Sequence, residues 1–288
     1  MKKIVVASLV VLLVVLGLVG TAFAITNGQP DGNNHPYVGL VLFYDADNVP
    51  LWRCSSSLVT PTLLVTAGHC TDGAVRAQVW FDAGPIARDP VYTSGSCNVG
   101  GPYTGYPCAG GTWGTPYTHP SYDVGNPYGG GNGLPAFSYR DNGVVVLDDP
   151  VTLSRYAQLP TAGLVDKLAK KNKPVDVVGY GVQYQDMMYP GQPPRARWTG
   201  PRERMYAPTN LISGKFVHSA DYARLALNPG GGSGGTCFGD SGGPDLQGGK
   251  DVILAVNSYV TNVNCSGVGY SARVDVPEVL NWINTFLP

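Results

Sequence analysis

Short apolar runs recur along this chain, at residues 37–43, 57–66, 75–81, 144–147, 175–178 and 253–256. Clusters of Gly, Pro, Asn and Asp separate them, a pattern that predicts the many short strands of a sandwich or barrel. Residues 277–287 break the rhythm. There Val279, Leu280, Ile283 and Phe286/Leu287 recur at helical spacing, and Pro277 suits a first helical turn. The expectation is a C-terminal helix packed on the body, with another helical turn or two within 159–171. Two stretches read as insertions. Residues 94–135 are rich in Gly, Tyr and Pro and carry Cys97 and Cys108, a pair expected to close and pin a local loop. Residues 184–194 form a second exposed segment. No internal repeat is present.

The N-terminus is read as an address rather than as fold. Lys2 and Lys3 precede an uncharged, mostly aliphatic run at 4–20, and Ala22-Phe23-Ala24 supplies a small-x-small cleavage pattern. A signal peptide at 1–24 is expected, with a mature chain starting at Ile25 and exported from the cell. An uncleaved signal anchor is the competing reading. The six cysteines, Cys54, Cys70, Cys97, Cys108, Cys237 and Cys265, agree with an oxidising compartment and up to three disulfides. A zinc site would need ligand pairs at short spacing, and only His69 adjoins a cysteine.

Composition narrows the function. Lys+Arg 19 against Asp+Glu 20 gives a net charge of −1, and removing Lys2 and Lys3 with the signal makes it −3. No basic excess exists to neutralise phosphates, so a nucleic-acid partner is not expected. Lys167, Lys170, Lys171, Lys173 and the Arg group at 195–204 read as solvated faces. Hydrophobic residues reach 43%, enough for a core and too many for a disordered chain. Gly (39) and Pro (24) then belong to the turns of a loop-rich fold.

The sharpest string is Gly239-Asp240-Ser241-Gly242-Gly243-Pro244. Its glycines let the backbone turn tightly around a serine, exposing the hydroxyl and nearby N–H groups. The string also fits the nucleophile elbow of α/β-hydrolases, but that arrangement needs a histidine after the serine, and the last one here is His218. The base must lie upstream. His69, in Thr66-Ala67-Gly68-His69-Cys70, follows the apolar run Leu63-Leu64-Val65 and so sits where a strand ends. His35, His119 and His218 read as structural. For the orienting acid, Asp141 precedes the strand Val144–Leu147, with Asp123 as runner-up and Asp148 and Asp149 at the far end.

These motifs, in the order His, Asp, Ser, resemble those of the trypsin/chymotrypsin-like serine proteases. Weaker echoes lie at His119-Pro120-x-Tyr122, Gly179-Tyr180-Gly181 and Ser258-Tyr259-Val260. The resemblance runs from Ile25 to the end. It implies an all-β fold of two antiparallel six-stranded barrels, at about 25–150 and 151–276, and the C-terminal helix. It implies a nucleophile Ser241, a base His69, an orienting Asp141 and an oxyanion hole from the N–H groups of Gly239 and Ser241. It further implies disulfides Cys54–Cys70 and Cys237–Cys265, leaving Cys97–Cys108 by elimination, and an activating pair between a freed Ile25 ammonium and Asp240. No metal or organic cofactor is implied. Polypeptide substrates and proteinaceous inhibitors are the expected partners of a monomer that is off the membrane once the signal is cleaved.

Specificity follows from the same alignment. Gly235 falls at the pocket base, with Thr236, Ser258, Val260 and Gly269 around it, so an uncharged, apolar, small-to-medium residue is expected before the scissile bond. Tyr180, Tyr259 and Ser271 depart from the residues usual in the family, which has Trp, Trp and Tyr there. Three other readings remain open at this level: a catalytically dead binding protein on the same fold, an esterase or peptide-bond-forming enzyme, and a secreted structural or adhesion protein.

Overall fold

A computed structural model describes residues 25, 28–86, 110–122, 138–169, 173–186, 197–199, 202–212, 221–227, 234–262 and 264–287. Outside the described residues lie the expected signal peptide, the Cys97–Cys108 pair, Asp123 and His218. No described helix is long and apolar enough to cross a membrane.

After a two-residue strand, β1 (Gln29–Pro30), six strands close a barrel. They are β2 (Val38–Tyr44), β3 (Pro50–Thr60), β4 (Leu63–Thr66), β5 (Arg76–Trp80), β6 (Thr112–Thr118) and β7 (Gly143–Leu147), arranged β2-β3-β4-β7-β6-β5 with every neighbour antiparallel. Every residue of β2 is buried, as is all of β4, and their Leu and Val side chains fill the core. The apolar run at 57–66 is two strands, because the chain turns at Pro61-Thr62 while the Thr60 hydroxyl accepts from Leu63 N–H at 3.1 Å. The supposed insertion at 94–135 is likewise corrected: its residues Thr112–Thr118 are β6, lying between β5 and β7. Gly114 and Pro116 disguise this strand. A side chain on Gly114 would come within 2.6 Å of the Val146 carbonyl, so the close approach of β7 demands glycine there.

The second half holds β8 (Pro174–Gly179), β9 (Tyr184–Asp186), β10 (Arg197–Thr199), β11 (Met205–Asn210), β12 (Tyr222–Leu227), β13 (Pro244–Gln247), β14 (Ile253–Val260) and β15 (Gly267–Arg273). Six of them run β11-β8-β13-β14-β15-β12, with β1 added beside β11. This sheet curls until its edges meet at one antiparallel bridge, Leu211 to Leu225, reinforced by Ile212 N–H to Arg224 O at 3.0 Å. It closes by a bridge where the first barrel closes by full ladders. Segment 184–194 is in part a strand, since β9 pairs with β10.

Three short helices complete the described chain: α1 (Gly68–Thr71), α2 (Leu164–Ala169) and α3 (Pro277–Asn284). Pro277 stands in the first turn of α3, and Val279 and Ile283 are its buried residues. The helix lies on the first barrel: Trp282 packs edge-on against His119 at 4.9 Å between ring centroids, and Phe286 meets Tyr117 of β6 at 5.1 Å.

A buried ion pair ties the two halves. Arg204 and Asp31, both fully buried, meet with Nε to Oδ2 at 2.9 Å. Arg204 Nη1 also donates to the carbonyls of Val38 and Phe81, each at 3.0 Å, so a residue just before β11 grips the adjoining ends of the paired strands β2 and β5. His35 takes part as an accessory, with Nδ1 2.5 Å from Asp31 Oδ1.

Candidate active site

His69 lies in α1 just after β4, while Asp141 stands two residues before the start of β7; because β4 pairs with β7, the ends of the two strands lie side by side. Asp141 Oδ2 is 2.8 Å from His69 Nδ1, and Oδ1 accepts the backbone N–H of His69 at 2.6 Å. Asp141 is 1% exposed, whereas about a third of the His69 side chain faces solvent. Burial alone would lower the His69 pKa, but the Asp141 charge and hydrogen bond outweigh it and hold the ring above the ordinary histidine value. Burial likewise works against the Asp141 charge. The His69 charge and the hydrogen bonds from His69 and Ser258 overcome it and leave that carboxyl below the usual range.

Two groups fix Asp141 that the motif does not reveal. The Ser258 hydroxyl donates to Asp141 Oδ2 in a short contact. Arg140, the preceding residue, is anchored by ion pairs to Asp221 at the head of β12 and to Glu278 of α3. The second half and the C-terminal helix therefore both set the position of an acid that belongs to the first barrel.

Ser241 lies in the turn before β13, pressed against the first barrel. Ser55 N–H donates to Ser241 O at 2.8 Å, and a side chain on Gly242 would strike the Ser55 carbonyl at 2.6 Å and Ala67 N at 2.8 Å. Glycine is thus required where the serine turn meets the loop carrying His69. Within the turn, the N–H groups of Asp240, Gly242 and Gly243 are bonded to carbonyls. Those of Gly239 and Ser241 donate to no group among the described residues. No hydrogen bond joins Ser241 Oγ to His69 in this structure, and His69 Nε2 lies 3.6 Å from Cys70 Sγ. Contacts of this kind commonly tighten only with substrate bound.

Asp240 points away from Ser241 and is fully buried, accepting from Gly181 N–H at 2.8 Å and Cys237 N–H at 2.9 Å. Burial raises its carboxyl to about 6, with those hydrogen bonds and the Arg53 charge opposing. Ile25 is buried in the second core with Met205 and Ala207. With residues 1–24 still attached its nitrogen is an internal amide, and no ion pair joins it to Asp240 among the described residues.

Beside Ser241 opens a cavity of about 150 Å³ lined by Thr236, Cys237, Phe238, Asn257, Ser258, Tyr259 and Val260. Of the residues expected around a pocket, Thr236, Ser258 and Val260 line it. Gly235 and Gly269 do not, because Leu227 packs over both. A side chain on Gly235 would lie 2.9 Å from Leu227 Cβ, and one on Gly269 3.1 Å from Cδ1. Sequence reasoning missed Leu227; the pairing of β12 with β15, which sets it opposite Gly267, brings it there. Cys54–Cys70 and Cys237–Cys265 are disulfides, the first beside His69 and the second under the cavity wall. Cys54, His69 and Cys70 cluster closely, but the bridge consumes both sulfurs.

No protein-family model matches the chain. Two Drosophila melanogaster proteins, Serine protease 1 and Serine protease 2, are each 26% identical over 273 residues, covering 90% of this chain and 84% of the relative. Both relatives are named serine proteases, and the likeness supports a trypsin/chymotrypsin-like serine protease. Solved structures agree on the fold. HL collagenase superposes with a TM-score of 0.61 at 17% identity, covering 88% of this chain and 95% of the other. The Vibrio cholerae VesB protease gives 0.57 at 17% identity, covering 90% and 66%.

Proposed function

We propose that the protease is exported, loses residues 1–24, and hydrolyses peptide bonds through an acyl-enzyme built on Ser241. The observation that carries this reading is the two-point hold of Asp141 on His69 beside the Gly239–Ser241 turn. Ser241 Oγ attacks the scissile carbonyl and its proton passes to His69 Nε2. The N–H groups of Gly239 and Ser241 receive the developing oxyanion, a contribution of about 3–4 kcal/mol per donor. His69 then protonates the leaving amine as the C–N bond breaks, and water repeats the cycle to release the acid. Asp141 keeps the imidazole in the needed tautomer and stabilises the imidazolium.

The residue before the scissile bond is uncharged, apolar and small to medium. Support comes from Leu227 filling the space against Gly235 and Gly269, and from Val260 in the wall, with no charged side chain among the described residues that line the cavity. A peptide library tests this: cleavage after Ala, Val or similar residues is expected, and dominant cleavage after Arg or Lys would refute it. The enzyme works as a monomer without a cofactor and is open to proteinaceous inhibitors. Signal cleavage after Ala24 itself frees the Ile25 ammonium, whose partner is Asp240. Edman degradation of active enzyme should begin Ile25-Thr26-Asn27-Gly28.

A further inference from the structure

Arg53 lies in β3, one residue before the disulfide-bonded Cys54. Its Nη1 donates to the Tyr180 carbonyl at 2.8 Å. A side chain on Gly239 would lie 2.6 Å from Nη1 and 2.9 Å from both Cζ and Nη2, so the guanidinium rests against the bare Cα of that glycine. With φ at +93°, Gly239 meets two demands, the turn conformation and the space for Arg53. Ser55, two residues on and facing the same way, donates to Gly239 O at 3.1 Å and accepts from Tyr180 N–H at 3.0 Å. A face of β3 thus delivers a cation to the edge of the serine turn.

The chemistry fixes which part of a substrate passes this cation. The residue before the scissile bond enters the cavity lined by Thr236, Phe238, Ser258 and Val260, and Arg53 is not among its walls. His69 must protonate the leaving amine, and its Nε2 lies 3.6 Å from Cys70 Sγ, which is bridged to Cys54. The leaving segment therefore departs over the Cys54–Cys70 bridge, with Arg53 next to it in the strand. A guanidinium stays charged at any working pH, and its planar fork matches a carboxylate.

Resting on the endopeptidase reading above, we propose that Arg53 selects substrates with a carboxylate within the first two residues after the scissile bond. An Asp or Glu side chain and a substrate's own C-terminus present the same group. At the protein surface such a charge is felt more strongly than in open water, and Arg53 is itself half-buried.

The test uses three peptides identical up to the scissile bond. The first has Glu second after it and an amidated end, the second has Gln there and an amidated end, and the third has Gln and a free C-terminal carboxylate. In wild type, kcat/KM for the Glu peptide should exceed that for the amidated Gln peptide by about five- to tenfold. Arg53→Gln should bring that ratio to about one, and Arg53→Glu below one. Ratios taken within each variant cancel any general loss from disturbing the serine turn. A preference for the third peptide over the second that Arg53→Gln also removes would extend the recognition to the C-terminus; its absence would confine it to acidic side chains. A wild-type ratio near one, or a ratio unchanged in Arg53→Gln, overturns the proposal. Failure of the endopeptidase reading looks different: no peptide is cut and a serine-reactive probe leaves the protein unlabelled.

Discussion

Asp141 holds His69 at two points, its Oδ2 on ring Nδ1 at 2.8 Å and its Oδ1 on the backbone N–H at 2.6 Å. One carboxylate therefore fixes both the ring and the loop that carries it. An amide at 141 could accept one of these bonds but would turn a donor toward Nδ1 and impose the wrong tautomer. Asp141→Asn is expected to lower kcat by about 10³–10⁴-fold while both described disulfides still form, as steady-state kinetics and thiol titration would check.

The same pair sets the pH dependence. In the proposed mechanism the neutral ring is the active base, and Asp141 holds the His69 pKa above the ordinary value. Activity should fall as pH drops through that raised pKa, so the acid limb of the kcat/KM profile lies above about 6.5. Ser258→Ala removes a hydrogen bond that lowers the Asp141 pKa, so the carboxyl should titrate at higher pH while staying ionised across the His69 limb.

Leu227 fills the space against Gly235 and Gly269. Leu227→Ala opens the space between Gly235 and Gly269. The preference for Phe or Leu over Ala before the scissile bond should rise by roughly tenfold or more, the worth of added methylenes in an apolar pocket. The same change removes buried packing and should cost about 2–5 kcal/mol of stability. Competition between two peptides reads the first effect, and denaturant unfolding the second.

Arg204 and Asp31 form an ion pair with neither member exposed. Removing one partner strands a buried charge, so Arg204→Met should destabilise by about 3–5 kcal/mol. Adding Asp31→Leu should recover much of that loss. A double-mutant cycle by chemical denaturation measures the coupling.

Asp245, in β13, is buried, and among the described residues neither carboxyl oxygen meets a hydrogen-bond partner within bonding distance. Burial pushes its pKa up to about 8, with nearby Ser271 opposing. The unfolded value is near 3.9. Between about pH 4 and 8 the folded state thus binds more protons than the unfolded one, and stability falls as pH rises. In the uncleaved chain Asp240, raised to about 6, acts in the same direction over a narrower window. Asp245→Asn should flatten the decline, a comparison that melting at pH 5 and pH 8 makes directly.

What the sequence disclosed depended on how local the signal was. Apolar runs such as Val144–Leu147 mark barrel strands because a strand's core residues are its own neighbours. β6 escaped because Gly114 answers to the backbone of β7, a distant partner, and its Gly/Pro content reads as loop. Asp141 and His69 were legible from motifs around each, and Ser258 as a pocket residue, while Arg140, the bond from Ser258 to Asp141, and Leu227 were not. Their roles arise from contacts with Glu278, Asp141 and Gly235, partners far along the chain that no local pattern identifies.

The central claim is that Ser241 is a nucleophile activated by His69. Labelling with a fluorophosphonate probe, followed by peptide mapping, tests it most directly. The account predicts stoichiometric modification of Ser241 in the disulfide-bonded protein, and none in Ser241→Ala or His69→Ala. An unlabelled wild-type protein with both described bridges intact, or modification at another residue that survives Ser241→Ala, would contradict it.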